Sequence, residues 1–303
     1  MLKASFSQKL LTWYDQWGRT LPWRNSRTTP YQTWLSEIML QQTVVKTVIP
    51  YYERFLEKWP NFHSLGQASL DEVLLMWQGL GYYARARNLL KCAQVVSSQH
   101  KGELPKSYTE LLKLPGLGPY TASAIASIVL QEKVPVLDGN IVRVLSRYFH
   151  IVDPYPQSRK QLEKVYLDVL EDRPGDFAQA LMDLSQKICR PKNPDCLHCP
   201  LQKECAALAT NSVHQLPTKM AKTKIRKQFS IAWILQKGDN SIALQKRPSN
   251  GLLGGLYEVP TTPSWDTNLE NPEILTLITQ KPFRILGQIT HQFTHIHLTL
   301  DVR

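Results

Sequence analysis

The chain has 303 residues, enough for two or three domains at the usual ~100–200 residues each. Hydrophobic residues make up 43% and charged residues 20%, a balance that fits packed globular domains and excludes disordered, collagen-like and coiled-coil classes. Thirty-six Lys and Arg against 25 Asp and Glu give a formal charge of +11, which suits a polyanionic partner, nucleic acid first.

Residues 1–206 read as helical. Apolar residues recur at helical spacing over 6–17, 31–40, 70–78, 84–99, 108–112, 120–130, 141–148, 159–170 and 177–188, with Gly and Pro breaks between. Thr29-Pro30 has the form of an N-cap followed by proline in the first helical position. Pro50 is expected to break or kink the pattern between Thr43 and Lys58. The longest apolar run, 121–130, is short of the ~20 residues of a membrane span, and no secretory h-region opens the chain. Those features predict a cytoplasmic protein with no membrane partner.

Texture changes after Cys205. Residues 207–227 read as a basic linker, with five Lys or Arg and no acid between Lys219 and Lys227. From 228 to 303 the chain reads as β-rich: F-S-I-A-W-I-L-Q and S-I-A-L-Q-K-R around K-G-D-N suggest a hairpin, 272–280 a short helix, and H-Q-F-T-H-I-H-L-T-L one alternating strand.

Four sequence features carry chemistry. Four of the five cysteines fall in C-x6-C-x2-C-x5-C, Cys189, Cys196, Cys199 and Cys205, while Cys92 stands alone. Such clustering reads as a metal site rather than disulfides, either a zinc knuckle or an iron–sulfur cluster. Lys187, Arg190, Lys192 and Lys203 flank it and suit phosphate contacts. Leu114-Pro115-Gly116-Leu117-Gly118-Pro119 lies between two helical patterns; Gly116 and Gly118 permit a tight turn, and the N–H groups of the next helix can hold a phosphate. Glu37, set among Trp34, Leu35, Ile38 and Met39, is expected to be buried and protonated, fit for a general acid. Asp138 in L-D-G-N follows an apolar run, where it can cap the next helix or stabilise a cation. One acid and one carboxylate are what cleavage at a sugar C1′ requires, by analogy with glycoside hydrolysis. Taken singly, each has a plain structural reading.

In order along the chain stand E-I-M-L-Q-Q-T, G-L-G-Y-Y-A-R, L-P-G-L-G-P-Y-T-A, L-D-G-N-I-V-R-V and the cysteine motif. Together they resemble the endonuclease III superfamily of helix–hairpin–helix, iron–sulfur DNA glycosylases, and within it the MutY-type adenine DNA glycosylases. The second region, with G-L-L-G-G-L-Y-E-V-P and H-Q-F-T-H-I-H, resembles the MutT-like domain of that family. The implied fold is α+β multidomain: a helical glycosylase domain (1–206) with its cluster loop at 189–205, then a smaller, shortened α/β Nudix-fold domain (228–303). The implied activity is excision of adenine opposite 8-oxoguanine or guanine in double-stranded DNA during base excision repair. The resemblance leads us to expect a cytoplasmic, nucleoid-associated bacterial protein that acts as a monomer.

The resemblance further implies a 4Fe–4S cluster on the four cysteines, Glu37 as the acid that protonates adenine, Asp138 as stabiliser of the cationic sugar, and Asn140 as an aid to the attacking water. Arg19, Trp23, Arg24 and Gln179 fall at base-pocket positions; Leu40, Gln41, Gln42 and Tyr82 at positions that enter the duplex beside the extruded base; and Phe293, Thr294 and His295 at the loop that meets the lesion. Strand-cutting relatives carry a lysine where this chain has Tyr120, so a monofunctional enzyme is expected, with Lys113 a source of slow nicking. The Mg²⁺-binding acidic segment of the pyrophosphohydrolases is absent after Glu258, so that activity is not expected. Two alternatives remain: a thymine-mismatch glycosylase of the same superfamily, and a lesion-binding protein without catalysis.

Overall fold

The computed structural model describes residues 2–220, 225–248, 251–266, 284–293 and 296–303. Two compact units divide the chain, Met1–Met220 and Ala221–Arg303.

The first unit is built of helices: α1 (Leu2–Trp17), α2 (Pro30–Leu40), α3 (Val45–Lys58), α4 (Phe62–Gly66), α5 (Leu70–Trp77), α6 (Ala84–Gln99), α7 (Tyr108–Leu111), α8 (Pro119–Val129), α9 (Gly139–Tyr148), α10 (Arg159–Val169), α11 (Pro174–Lys187) and α12 (Ala206–Ala209). Local chemistry starts several of them. Thr29 and Gln32 form a capping box with Pro30 in the first position of α2. Asp138 caps α9, accepting from the N–H groups of Asn140 and Ile141. α4 was invisible to apolar periodicity, but its Asn61/Ser64 capping box is plain.

Pro50 does not end its helix: α3 runs through it. Pro50 is solvent-exposed, so the carbonyl one turn back, which loses its N–H partner, lies on a side that water can reach.

Two groups of helices pack against α8. α2 to α6 form one, with α4 on α6 and α2 on α3; α1, α9, α10 and α11 form the other. Phe6, Leu10, Leu145, Leu162, Tyr166, Phe177 and Leu181 make the core of the second group. The small residues of α8 (T-A-S-A-I-A-S) are buried and let α2 and α11 approach from two sides. At Gly175 a Cβ would lie 2.8 Å from Ile128 Cα, so glycine is what lets α11 start this close to α8. Residues expected to open the linker are instead folded: Ala207, Val213 and Leu216 form a small buried cluster, and Arg147 Nε donates to Leu216 O at 3.0 Å.

The second unit has a four-stranded sheet, β4-β1-β6-β5, and a two-stranded one, β2-β3. Its strands are β1 (Arg226–Ala232), β2 (Gln245–Lys246), β3 (Tyr257–Glu258), β4 (Trp265–Asp266), β5 (Gly287–Gln292) and β6 (Ile296–Val302). β1 and β6 are parallel, pairing Phe229 with Thr299; β4 and β5 flank them antiparallel. Of the expected hairpin, 229–236 against 241–247, one bridge is present, Gln236 opposite Ile242; β1 pairs instead with β4 and β6, and Gln245–Lys246 with β3. The segment read as a single strand is two: β5 and β6 meet at Phe293, whose N–H donates to Ile296 O at 2.7 Å. Ile296, Leu298 and Leu300 alternate with polar residues, which is why a strand was expected there. The short helix expected at 272–280 lies outside the described residues. Among the described residues no helix is long and apolar enough to cross a membrane.

Candidate active site

α2, α8, α9, α11 and the loop before α2 converge on one cleft, enclosing about 1200 Å³ with its open mouth. Glu37 of α2, Tyr120 of α8, Asp138 and Asn140 at the start of α9, and Gln179 of α11 line it, together with Arg19, Trp23, Arg24 and Leu40. Residues scattered from 19 to 179 in the sequence are therefore brought together around one cleft.

Glu37 is 7% exposed. Burial pushes its carboxyl up to about 7; the Asp138 charge adds to this, while Arg24 and the hydrogen bond donated by the Tyr120 hydroxyl pull it down. A carboxyl in that range can hold a proton near neutral pH and release it.

Asp138 is organised differently. Its Oδ1 accepts from Asn140 N (3.0 Å) and Ile141 N (2.7 Å), and its Oδ2 from Asn140 Nδ2 (2.8 Å). All three partners are donors at a helix N-terminus, a setting complementary to negative charge. Asn140 is itself fixed, its Oδ1 accepting from Arg143 Nη2 (3.1 Å) and Gln186 Nε2 (3.0 Å). Arg143 also donates from Nε to Cys189 O (2.8 Å) and from Nη2 to Ser185 O (3.1 Å). A continuous chain of hydrogen bonds thus runs from the cysteine loop to the Asp138 carboxylate.

Asp183, on α11, was not anticipated. Its fully buried carboxylate accepts from Arg19 N (2.7 Å), Arg19 Nε (2.6 Å) and Arg24 Nη1 (2.8 Å). It pins both arginines to the cleft wall and counters their charge. The available signal was an aspartate among the buried apolar residues of A-L-M-D-L-S, which a lone sequence does not connect to residues 160 positions away. Gln179 donates to Gly175 O at 3.3 Å, leaving its carbonyl oxygen for other partners.

The glycine-rich turn joins α7 to α8 as expected. Gly116 has φ +78, and a Cβ there would lie 2.7 Å from Asn88 Cβ; both facts demand glycine. Gly118 is the N-cap of α8, with Pro119 next. Leu40 ends α2, and Gln41 Nε2 donates to Thr121 Oγ1 at 2.8 Å. Gln42 and Tyr82 both have left-handed backbone, φ 57 and 48, and Tyr82 is half exposed. Lys113 borders the α7–α8 turn and does not line the cleft.

In the second unit Phe293 packs edge-on against His291, with ring centroids 4.5 Å apart. Thr294 and His295 lie outside the described residues.

Cys189, Cys196, Cys199 and Cys205 line a second, largely apolar cavity with Val144, Tyr148, Leu184, Ile188 and Leu201. All four are free thiols. Burial and the neighbouring sulfurs push Cys199 up to about 12. Arg147 Nη1 donates to Cys189 Sγ at 3.3 Å. Four soft donors around an apolar space, with a guanidinium against one of them, fit a multinuclear thiolate-bound group. Among the described residues no three such side chains close on a single metal ion.

Two family models match the chain: an HhH-GPD superfamily base excision DNA repair protein over residues 35–167 and a NUDIX domain over 231–303. Relatives include the adenine DNA glycosylase of Buchnera aphidicola subsp. Baizongia pistaciae, 38% identical over 99% of this chain and 86% of its own length. The chain belongs to the adenine DNA glycosylase family. The human adenine DNA glycosylase is 35% identical over 99% of this chain and 66% of its own. Among solved structures, the helical fold matches a thermostable thymine-DNA glycosylase with a TM-score of 0.63 at 29% identity, over 69% of this chain and 97% of that one. It also matches endonuclease III in a trapped covalent DNA intermediate, with a TM-score of 0.57 at 22% identity, over 68% and 94%; that likeness concerns the fold alone. The helical glycosylase fold and the Nudix-like second unit agree with the fold class expected from the sequence.

Proposed function

We propose that the chain binds duplex DNA, extrudes an adenine paired with 8-oxoguanine or guanine into the Glu37–Asp138 cleft, and hydrolyses its N-glycosidic bond without cutting the strand. The observation that carries this reading is the unlike pair in one cleft: a buried carboxyl raised to about 7 and a carboxylate held by three donors. The target bond is inaccessible within the base stack, so extrusion precedes chemistry. Glu37 gives its proton to adenine N7. The C1′–N9 bond breaks, and its electron pair leaves with the now neutral base. The Asp138 carboxylate faces the cationic sugar. Water then adds at C1′, and its proton returns to Glu37, with Asn140 orienting the water. Arg19, Trp23, Arg24 and Gln179 form the wall against which the base sits.

At position 120 a tyrosine hydroxyl donates to Glu37, where a strand-cutting enzyme needs an amine to form a Schiff base. The test is a single-turnover assay on duplexes carrying adenine opposite 8-oxoguanine, with and without alkali. Strand breaks only after alkali, and no borohydride-trapped protein–DNA adduct, are expected. Breaks without alkali accompanied by a trapped adduct would overturn the monofunctional reading. A faster reaction opposite 8-oxoguanine than opposite guanine is expected to disappear when the second unit is disrupted by Phe293→Ala.

The four cysteines are proposed to hold a 4Fe–4S cluster, whose contribution when bound is structural: metal binding fixes the loop and couples to folding. Purified protein is expected to contain iron and sulfide in equal amounts, and Cys199→Ser to lose iron and melt earlier. Stoichiometric zinc in place of iron would contradict the assignment.

Duplex binding is expected to rest on phosphate contacts, given the +11 charge. Log affinity for a non-specific duplex should fall linearly with log salt, by about 0.9 per phosphate neutralised. A flat profile would contradict the basic-surface argument.

A further inference from the structure

We propose that Arg85 is a positioning residue that joins two loops into one rigid wedge for extruding the base. The inference rests on the reading above, that Leu40–Gln42 and Tyr82 enter the duplex beside the target pair.

Arg85 sits in the first turn of α6 and is 8% exposed. Its guanidinium donates in two directions. Toward the end of α2, Nη1 reaches Ile38 O (3.2 Å) and Met39 O (2.8 Å), and Nη2 reaches Thr43 Oγ1 (2.9 Å). Toward the loop after α5, Nη2 reaches Leu80 O (3.0 Å) and Gly81 O (3.2 Å). The same guanidinium lies over the Trp77 ring at 5.2 Å and the Tyr82 ring at 5.6 Å. One planar group therefore holds the last turn of α2, the Thr43 side chain and the backbone of the loop after α5.

Both loop tips are strained. Gln42 and Tyr82 are non-glycine residues with left-handed backbone, a conformation that persists only where surrounding contacts over-determine it. On the Tyr82 side, Trp77 Nε1 also donates to Gly81 O (3.0 Å) and Tyr51 Oη to Gln78 O (2.7 Å). On the other side, Gln41 is tied to Thr121. Arg85 spans the two. A wedge must be stiff before it meets DNA, because ordering it on binding would oppose extrusion. A fork of several fixed donors suits this task; a lysine ammonium, a single point charge, cannot serve acceptors spread over two loops.

Arg85 does not line the cleft, so its loss should slow extrusion and leave the chemistry intact. Two substrates separate these steps: adenine paired with 8-oxoguanine in a duplex, and adenine in an unpaired bulge, already outside the stack. The readout is the ratio of single-turnover excision rates, paired over bulged. That ratio does not depend on how much of a variant is folded. Arg85→Lys is expected to lower it by about 10–100-fold, the scale on which a small misplacement acts. Thr43→Val, which removes one acceptor, should lower it less. Tyr82→Ala should lower it too, and the Tyr82→Ala/Arg85→Lys double variant should lose less than the product of the two single losses, because both act through one wedge.

An unchanged ratio in Arg85→Lys, or losses that add fully in the double variant, would overturn the proposal while leaving the wedge reading standing. A wild-type ratio in Tyr82→Ala would remove the wedge reading, and the proposal with it.

Discussion

Replacing Glu37 by glutamine is expected to slow adenine release by about 10²–10⁴-fold, the usual contribution of a positioned general acid, while duplex affinity stays within about threefold of wild type. Glutamine keeps the shape and a polar group at the cleft wall but has no proton to give. The pH dependence follows from burial. With the Glu37 carboxyl pushed up to about 7, the wild-type rate should be level below that value and fall about tenfold per pH unit above it. The same shift has a consequence for stability. The folded state keeps a proton that the unfolded chain, near its ordinary value of 4.5, has already released. Stability therefore drops as pH rises from about 4.5 through about 7, by about 3 kcal/mol in total. Glu37→Gln has no such cost, so it should resist unfolding better than wild type at pH 8 and lose that advantage toward pH 4.5. Denaturant titrations at the two pH values check this; equal midpoints for the two proteins at pH 8 would mean that Glu37 ionises freely.

Asp138→Asn separates chemistry from capping. Asparagine caps helices about as well as aspartate, so α9 should start where it does now, and the thermal midpoint should move little. The negative charge proposed to face C1′ is lost. Removing one preorganised electrostatic partner of a developing charge commonly costs about 10²–10³-fold in rate, and a loss of that size is expected in single-turnover excision. A rate within threefold of wild type would reduce Asp138 to a helix cap. A loss matched by melting would place the effect in folding.

How much of this was readable in advance depends on the range of the interaction. Glu37 and Asp138 were legible because their signals are local: a carboxyl inside an apolar helical repeat, and an aspartate between an apolar run and Gly-Asn. The Thr29 cap of α2, the glycine-rich turn and the four-cysteine loop are equally local. Asp183, Arg85 and Arg143 were not legible as site residues. Each is a charged group on a largely buried helix face, and part of its meaning lies in partners 42 to 164 positions away. Pro50 does not break α3 because it sits on a side of the helix that faces water. The break between β5 and β6 was missed because the alternation of Ile296, Leu298 and Leu300 was extended back to His291, although Phe293 is out of phase with it. The folded stretch around Val213 and Leu216 read as linker because its apolar residues are few, yet they cover the foot of α9 through Arg147.

The measurement that bears most directly on the central assignment is the identity of the base released. Duplexes of one sequence carrying adenine opposite 8-oxoguanine, adenine opposite guanine and thymine opposite guanine would be compared under single-turnover conditions, with free bases separated and quantified. Free adenine from the first two, and no thymine from the third, is the expected result. Thymine release would reassign the enzyme to thymine excision, and tight binding with no base released would contradict catalysis by the Glu37–Asp138 pair.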